Sequence, residues 1–151
     1  MVKTTSKAVK TESKRKDSDE NYVLNLCDEV LGKTGSRQHT FDFLRGDTGK
    51  NKEGRKLPVD AFYESLNLVI EYRERQHSEA VPHFDKADVM TVSGVSRGEQ
   101  RKIYDQRRRD VLKQQQIKLI EIDYSQFSYS SNKKIIRERV RDLEMVRGIL
   151  E

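Results

Sequence analysis

Two short apolar runs, 57–63 and 66–73, constrain the fold most strongly. Both are rich in β-branched and aromatic residues, and two polar residues form a tight turn between them. Runs of this composition joined by a short polar turn predict a β-hairpin. Each run carries one acidic residue, Asp60 in the first and Glu71 in the second. Because a carboxylate is costly to place in a half-buried strand, each of these two residues needs a partner.

Asp60 and Glu71 are candidate ligands of a metal ion. If the hairpin brings them onto adjacent strands, they form a two-carboxylate site for a hard divalent cation, Mg²⁺ or Mn²⁺. Residues two apart in a strand share a face, so Glu71 and Arg73 point the same way. Two carboxylates, a metal and a cation are the groups that metal-dependent hydrolysis of a phosphodiester needs. The alternative is a cross-strand ion pair on a solvated face.

The remaining periodicity predicts an α/β chain with the element order α-β-β-β-α-β-α. We expect a meander of three antiparallel strands, then a helical crossover to a fourth strand, and no internal repeat is visible. The predicted elements are a helix capped by Asp19 or Asn21 and ending at Gly32, strands at 40–44, 57–63 and 67–73, a helix at 97–115, a strand at 117–122, and a helix at 131–150.

Two short motifs resemble those of the PD-(D/E)XK nuclease superfamily. Pro58-Val59-Asp60 matches the Pro-Asp half with one residue inserted, and Glu71-Tyr72-Arg73 matches the (D/E)-x-K half with arginine in place of lysine. The closer similarity is to small single-domain endonucleases related to the very-short-patch repair enzymes. It covers about residues 20–127, including the segment from Ile70 to His77 and the Asp-x-x-Arg-x-x-x-Leu pattern that begins at Asp105.

The resemblance implies a restriction-endonuclease-like core, with a four-stranded mixed sheet flanked by helices, and a Mg²⁺- or Mn²⁺-dependent endonuclease acting on DNA. It makes Asp60 and Glu71 the metal ligands, and Arg73 or Gln76 the replacement for the motif lysine. Arginine stays protonated, so Arg73 can stabilise charge but cannot act as a base. This departure supports an alternative, a weak or inactive nucleic-acid-binding module on the same fold.

Two further residues are candidate contributors to the metal site. Glu29 lies on the first predicted helix, where some branches of the superfamily carry a metal-binding glutamate, and otherwise it is a solvent-facing acid. His77 follows Glu71 by six residues, at the exit of the strand, and otherwise it is a loop histidine bonded to backbone. The histidines and the single cysteine lack the spacing of a zinc site.

The predicted helix at 97–115 is a candidate surface for nucleic-acid phosphates, which give affinity without sequence readout. The alternatives are a solvated helix face and, in a structural protein, a face that binds another protein. Arg108 is three or four residues from apolar positions on this helix, so we expect it to lean toward the core and to have a carboxylate or phosphate partner. The candidate phosphate-binding residues are Arg97, Arg101, Lys102, Arg107, Arg108 and Arg109.

Charge and composition bound the partners and the location. The 151 residues carry a net charge of +5, which fits a polyanionic partner such as DNA. Residues 1–18 are predicted to be a basic disordered tail that either aids solubility or touches phosphates, and 19–151 are predicted to form one domain. One cysteine and no apolar run of membrane-spanning length predict a cytoplasmic protein with no disulfide-linked partner. The sequence leaves a homodimer open.

Overall fold

A computed structural model describes residues 17–48, 53–74 and 91–151 of the chain. Within these ranges the elements follow the order α-β-β-β-α-β-α. They are α1 (Asp19–Leu31), β1 (Ser36–His39), β2 (Val59–Tyr63), β3 (Leu68–Arg73), α2 (Arg97–Gln114), β4 (Lys118–Asp123) and α3 (Arg139–Leu150). The chain divides into two compact units, one formed by the part up to Thr34 with Asp123–Glu151, the other by Gly35–Ile122.

The four strands form one mixed sheet in the order β1-β2-β3-β4. The first three are antiparallel neighbours, with Ala61 opposite Ile70 in the central pair. The backbone N–H of Lys118 donates to the carbonyl of Asn67 at 3.0 Å, where β4 and β3 both begin. The two strands therefore run parallel, as expected when a helix such as α2 connects them. The predicted α/β class, element order and mixed four-stranded sheet are confirmed.

The core of the second unit lies between the central hairpin and α2. It contains Leu44, Leu57, Val59, Val69 and Leu112. Strand β2 alternates between buried and half-buried residues, whereas β3 is buried along its whole length. A strand buried on both faces forces its polar side chains to find partners inside the protein.

The first strand lies earlier in the chain than predicted. The apolar segment 40–44 is not a strand, because Leu44 donates to the carbonyl of Phe41 and closes a turn there. Phe41 stacks on Phe43 at 4.9 Å between ring centroids and packs on the core. The strand is instead the polar segment Ser36–His39, an edge strand paired with β2. Apolar content therefore predicted the wrong backbone conformation, and it marked burial correctly for Leu44 but not for the exposed Phe43.

The helix boundaries differ from prediction at two N-termini. Ser18, rather than Asp19 or Asn21, caps α1 by accepting the backbone N–H of Asn21. The C-terminus is as predicted, with Gly32 in the left-handed conformation at φ 64°. The last helix begins at Arg139 rather than at 131. The chain before it forms a turn between Ser130 and Lys134, which an isolated bridge between Tyr129 and Ile135 closes.

The first unit joins α1 to α3. The hydroxyl of Tyr22 on α1 donates to Asp142 on α3 at 2.5 Å, and Asp142 is fully buried. Burial, followed by this contact with Asp142, raises the pKa of the tyrosine. Cys27 is buried on α1 and forms no disulfide. Among the helices of the described ranges, none has the length and apolarity needed to cross a membrane.

Candidate functional site

Asp60 on β2 and Glu71 on β3 meet at one end of the central hairpin. They lie one residue beyond the partner pair Ala61 and Ile70. The backbone N–H of Asp60 donates to Oε2 of Glu71, and the backbone N–H of Tyr72 donates to Oδ2 of Asp60, both at 2.8 Å. Each carboxyl group thus accepts a hydrogen bond from the other strand, and this exchange holds the two side chains side by side.

The neighbouring strand is distorted at the same level. Gln38 of β1 lies between the partner pairs Arg37–Ala61 and His39–Val59, so the register places it opposite Asp60. Its backbone has φ 48°, in the left-handed region that non-glycine residues seldom adopt. Backbone outliers of this kind persist where the surrounding structure enforces them, often beside functional groups.

Glu71 is buried, with only 6 % of its surface exposed. Loss of solvation raises the pKa of its carboxyl group to about 8, and the adjacent Asp60 carboxylate adds to the rise. The backbone N–H of Asp60 and the nearby guanidinium of Arg108 act in the opposite direction. Glu71 therefore carries a proton over much of the neutral range, which is the behaviour of two carboxyl groups that compete for one site.

Arg108 on α2 is the cation nearest to Glu71 among the contacts of the described residues. Its Nε lies 3.6 Å from Oε1 of Glu71 and donates to the carbonyl of Pro58 at 3.1 Å. Its Nη1 lies 3.2 Å from Oδ1 of Asp105, one turn earlier on the helix. The predicted inward orientation of Arg108 and its carboxylate partner are therefore observed.

Arg73 faces a different pair of carboxylates from the one predicted. Its Nη1 is 2.7 Å from Oδ2 of Asp105, and its Nη2 pairs with Glu121 on β4. Burial acts to lower the pKa of Arg73, but Glu121 and Asp105 outweigh it and raise the pKa overall. Glu121 also accepts from Nε of Arg109 at 3.0 Å. Arg73 thus ties β3 to both α2 and β4.

These contacts form one continuous network, which we name the charge network. It begins with the carboxyl pair of Asp60 and Glu71, and from Glu71 onward carboxyl and guanidinium groups alternate. It crosses β2, β3, α2 and β4. It contains four carboxyl groups and three guanidinium groups, so a single proton on Glu71 leaves it neutral. Its members are Asp60, Glu71, Arg108, Asp105, Arg73, Glu121 and Arg109.

The carboxylate pair fits a magnesium ion better than a softer metal. Both side chains present carboxylate oxygens, the donor type that Mg²⁺ prefers. No cluster of three or more histidine, cysteine, aspartate or glutamate side chains occurs within the described ranges. Mg²⁺ does not require one, because it binds proteins through one or two carboxylates and keeps water or phosphate oxygens in its other positions.

Three other residues were candidates for roles at the metal site. Glu29 is on α1 in the first unit, where its carboxylate pairs with Arg139 of α3. Gln76 and His77 lie outside the described residues. The roles predicted for these three residues stay predictions.

The six candidate phosphate-binding residues of α2 divide into two groups. Arg107, Arg108 and Arg109 have internal partners: Arg107 pairs with Asp47 at 2.8 Å and lies over the ring of Tyr104. The earlier group lies at the start of the helix, where Arg97 and Lys102 are exposed and Arg101 is half-buried. Lys102 pairs with the exposed Glu99 of the same helix at 3.5 Å. Arg97 and Lys102 therefore offer cations to solvent, whereas Arg107, Arg108 and Arg109 contact other groups of the fold.

The sequence prediction did not include Asp105 and Glu121 among the site residues. Asp105 stands three residues before Arg108, which is the spacing of a helical ion pair. Glu121 interrupts an apolar strand in the same way as Glu71 does. That interruption is the signal that could have identified it.

Comparison with protein-family models, with curated proteins and with solved structures finds no match to this chain.

Proposed function

We propose that the chain is a Mg²⁺- or Mn²⁺-dependent endonuclease that hydrolyses phosphodiester bonds in DNA, on a restriction-endonuclease-like fold. The observation that carries the proposal is that the Asp60 and Glu71 carboxyl groups lie side by side on adjacent strands, where each accepts a backbone N–H of the other strand. Two features support it further: the helix crossover into a parallel fourth strand, and the raised pKa of Glu71.

In this proposal Asp60 and Glu71 hold the metal ion. When bound, the ion polarises a phosphoryl oxygen and lowers the pKa of a water molecule. Binding requires Glu71 to give up its proton, so the ion takes the place of that proton in the charge network. Arg108 lies beside Glu71 and favours its ionised form, which prepares the pair for a cation.

Arg73 acts through Asp105 rather than on the substrate. Its guanidinium holds one oxygen of Asp105, and the other oxygen of Asp105 holds Arg108. Arg73 is therefore a positioning residue for Arg108 in this proposal. The task of the motif lysine, orienting the attacking water, falls to Gln76, which is neutral and follows β3.

DNA is the substrate that the charge distribution favours. The chain has a net charge of +5, and Arg97 and Lys102 present exposed cations at the start of α2. Such cations contact phosphates and give affinity for any sequence. A cytoplasmic location is part of the proposal, because the chain's single cysteine forms no disulfide.

A non-catalytic nucleic-acid-binding module on the same fold is the second candidate. One observation favours it: a guanidinium already lies 3.6 Å from Glu71, where it balances the charge that a metal ion would balance. In a purely structural network, Arg108 and a proton on Glu71 would satisfy the carboxylates without any metal.

Metal binding and DNA cleavage together test the proposal. Purified wild type, Glu71→Gln and Asp60→Asn are titrated with Mn²⁺ by isothermal calorimetry, and then incubated with supercoiled, linear and single-stranded DNA in Mg²⁺ or Mn²⁺. We expect wild type to bind one ion and to cut at least one DNA form, and both variants to lose at least about 100-fold in cleavage rate.

Glu64→Gln is the matched control, because Glu64 is exposed on the turn of the same hairpin. It should bind Mn²⁺ and cut DNA as wild type does. If wild type binds no ion and cuts none of the DNA forms, while Glu71→Gln binds DNA as well as wild type, the non-catalytic module is the correct assignment.

A further inference from the structure

A cavity of about 270 Å³ opens in the second unit, between the chain leading into β2 and the first half of α2. Its walls are mixed in character. They include the cations Arg55 and Lys56, the apolar side chains of Leu57, Pro58 and Val92, and the hydrogen-bonding groups of Gln100 and Tyr104. The carboxylate of Asp47 also lines the cavity, and Arg107 balances its charge at 2.8 Å. A cavity of this size is smaller than a pocket for a drug-sized ligand, which spans about 300–1,000 Å³, so it suits one small unit of a larger molecule.

Pro58 connects the cavity to the carboxylate pair. It lines the cavity and precedes Asp60 by two residues, which is the spacing that places side chains on the same face of an extended chain. The carbonyl of Pro58 also accepts from Nε of Arg108, the same nitrogen that lies 3.6 Å from Glu71. A polymer bound at the pair can therefore place its next unit in the cavity.

Lys56 and Arg55 place positive charge at one edge of the cavity. Lys56 pairs with Asp42 at 2.7 Å, and both side chains are exposed. Arg55 is exposed, and its guanidinium forms no hydrogen bond or ion pair with another residue of the described ranges. An exposed guanidinium at the rim of a concave surface is a suitable group for a phosphate, which it can bind through two parallel hydrogen bonds.

The opposite wall is held rigidly. The hydroxyl of Tyr104 accepts from the backbone N–H of Asp47 at 2.8 Å and from Nε2 of Gln100 at 3.2 Å. Nε2 of Gln100 also donates to Ser93 at 3.1 Å. These bonds use the donor end of the Gln100 amide, so its carbonyl oxygen is left to accept. Gly46 permits the close packing, because a Cβ there would lie 2.8 Å from Tyr104.

We propose that this cavity binds the nucleotide adjacent to the scissile phosphodiester, an inference that rests on the proposed function. Arg55 holds the phosphate of that nucleotide. Its base lies against Pro58 and Val92, and the carbonyl oxygen of Gln100 accepts a hydrogen bond from the base. Because the wall is fixed before binding, little side-chain freedom is lost when the nucleotide enters.

Binding of free nucleotides without metal tests the inference. The four deoxynucleoside 5′-monophosphates and inorganic phosphate are titrated by NMR into the full chain in EDTA. Arg55→Ala removes the cation, and Val92→Trp fills the apolar side. Val92 is 61 % exposed, so the substitution leaves the core unchanged. We expect each variant to weaken nucleotide binding about tenfold. For Arg55→Ala this is the usual cost of losing a charge-assisted hydrogen bond.

Two variants serve as matched controls. Val140→Trp places the same ring on α3, where Val140 is 73 % exposed, and Arg139→Ala removes an exposed arginine of α3 that does not line the cavity. Both should bind nucleotide as wild type does, and circular dichroism checks that all four variants are folded.

The outcomes separate this inference from the proposed function. A chain that binds nucleotide with the expected variant pattern but cuts no DNA keeps the cavity assignment and loses the endonuclease. The cavity assignment is overturned if wild type cuts DNA in Mg²⁺ but binds no nucleotide. It is also overturned if the Val92→Trp variant binds nucleotide as tightly as wild type does. Inorganic phosphate binding as tightly as the nucleotides would also overturn it, since only an anion would then be recognised.

Discussion

Protonation of Glu71 should make the stability of the metal-free protein fall as pH rises. The pKa of this carboxyl group is about 8 in the folded chain, against an ordinary value of 4.5. The folded state therefore holds the proton more tightly than the unfolded state does. This contribution to stability is fully present below pH 4.5 and is lost progressively as pH rises to about 8.

The size of the effect follows from the two pKa values. Each tenfold change in proton affinity corresponds to about 1.4 kcal/mol, so the whole rise from 4.5 to about 8 gives an upper value of about 5 kcal/mol. That is a large part of the roughly 5–15 kcal/mol by which a typical domain is stable. Glu71 is only 6 % exposed, so solvent screens little of this cost.

Glu71→Gln isolates the contribution. Glutamine keeps the oxygen that accepts from Asp60 and stays neutral at every pH, so the variant should be more stable than wild type at pH 8 and no more stable at pH 5. Urea unfolding in EDTA at pH 5, 6, 7 and 8 measures this. Circular dichroism is the suitable signal, because the chain has no tryptophan.

Two comparisons make the measurement decisive. The two proteins differ only at position 71, so the difference between wild type and Glu71→Gln reports the Glu71 carboxyl group. Glu64→Gln, on the exposed turn of the same hairpin, should follow the wild-type pH dependence. The reasoning is refuted if Glu71→Gln and wild type lose stability in parallel from pH 5 to 8.

Three further predictions concern the metal, the network and DNA. Because the ion replaces the proton of Glu71, Mn²⁺ affinity should rise about tenfold per pH unit below pH 8 and level off above it, as calorimetry at several pH values would show. Asp105→Ala leaves two buried guanidiniums short of a partner and should cost about 3 kcal/mol or more in urea unfolding, whereas Asp110→Ala, at an exposed position of the same helix, should cost little. Arg97→Ala with Lys102→Ala should reduce the slope of log affinity against log salt for duplex DNA by about 0.9 for each phosphate that the variant no longer neutralises, and an unchanged slope would remove these residues from the interface.

The strands of the hairpin were predictable, because β-branched and aromatic composition marked them. Their register was not: a two-residue turn at Glu64 and Ser65 would pair Tyr63 with Leu66, whereas the observed turn is longer and Tyr63 pairs with Leu68. The longer turn brings Asp60 opposite Glu71. The first strand was not predictable in the same way, because Ser36–His39 is polar and pairs along one edge of the sheet. The strand forms because it pairs with β2, and pairing with a distant segment is not visible in the local sequence pattern.

The partners of the arginines could not be predicted from spacing alone. Arg73 shares a face with Glu71, yet its guanidinium reaches Asp105 on α2 and Glu121 on β4. Long side chains choose among all carboxylates within reach, and both partners are distant from Arg73 in the chain. The helix pattern did indicate that Arg108 points toward the core. Its contact with Glu71 depends on how α2 packs on the hairpin, which the pattern does not show.

In the proposed function, the charge network gives a physical reason for metal and DNA to bind together. With a proton on Glu71 its four carboxyl groups and three guanidinium groups are neutral. If a divalent ion replaces the proton, the network carries one excess positive charge in a largely buried setting, which is costly. The single negative charge of a phosphodiester restores neutrality. We therefore expect each ligand to strengthen the binding of the other, by the same factor in both directions. Measuring DNA affinity in Ca²⁺ and in EDTA at equal ionic strength tests this, and Glu71→Gln should abolish the difference.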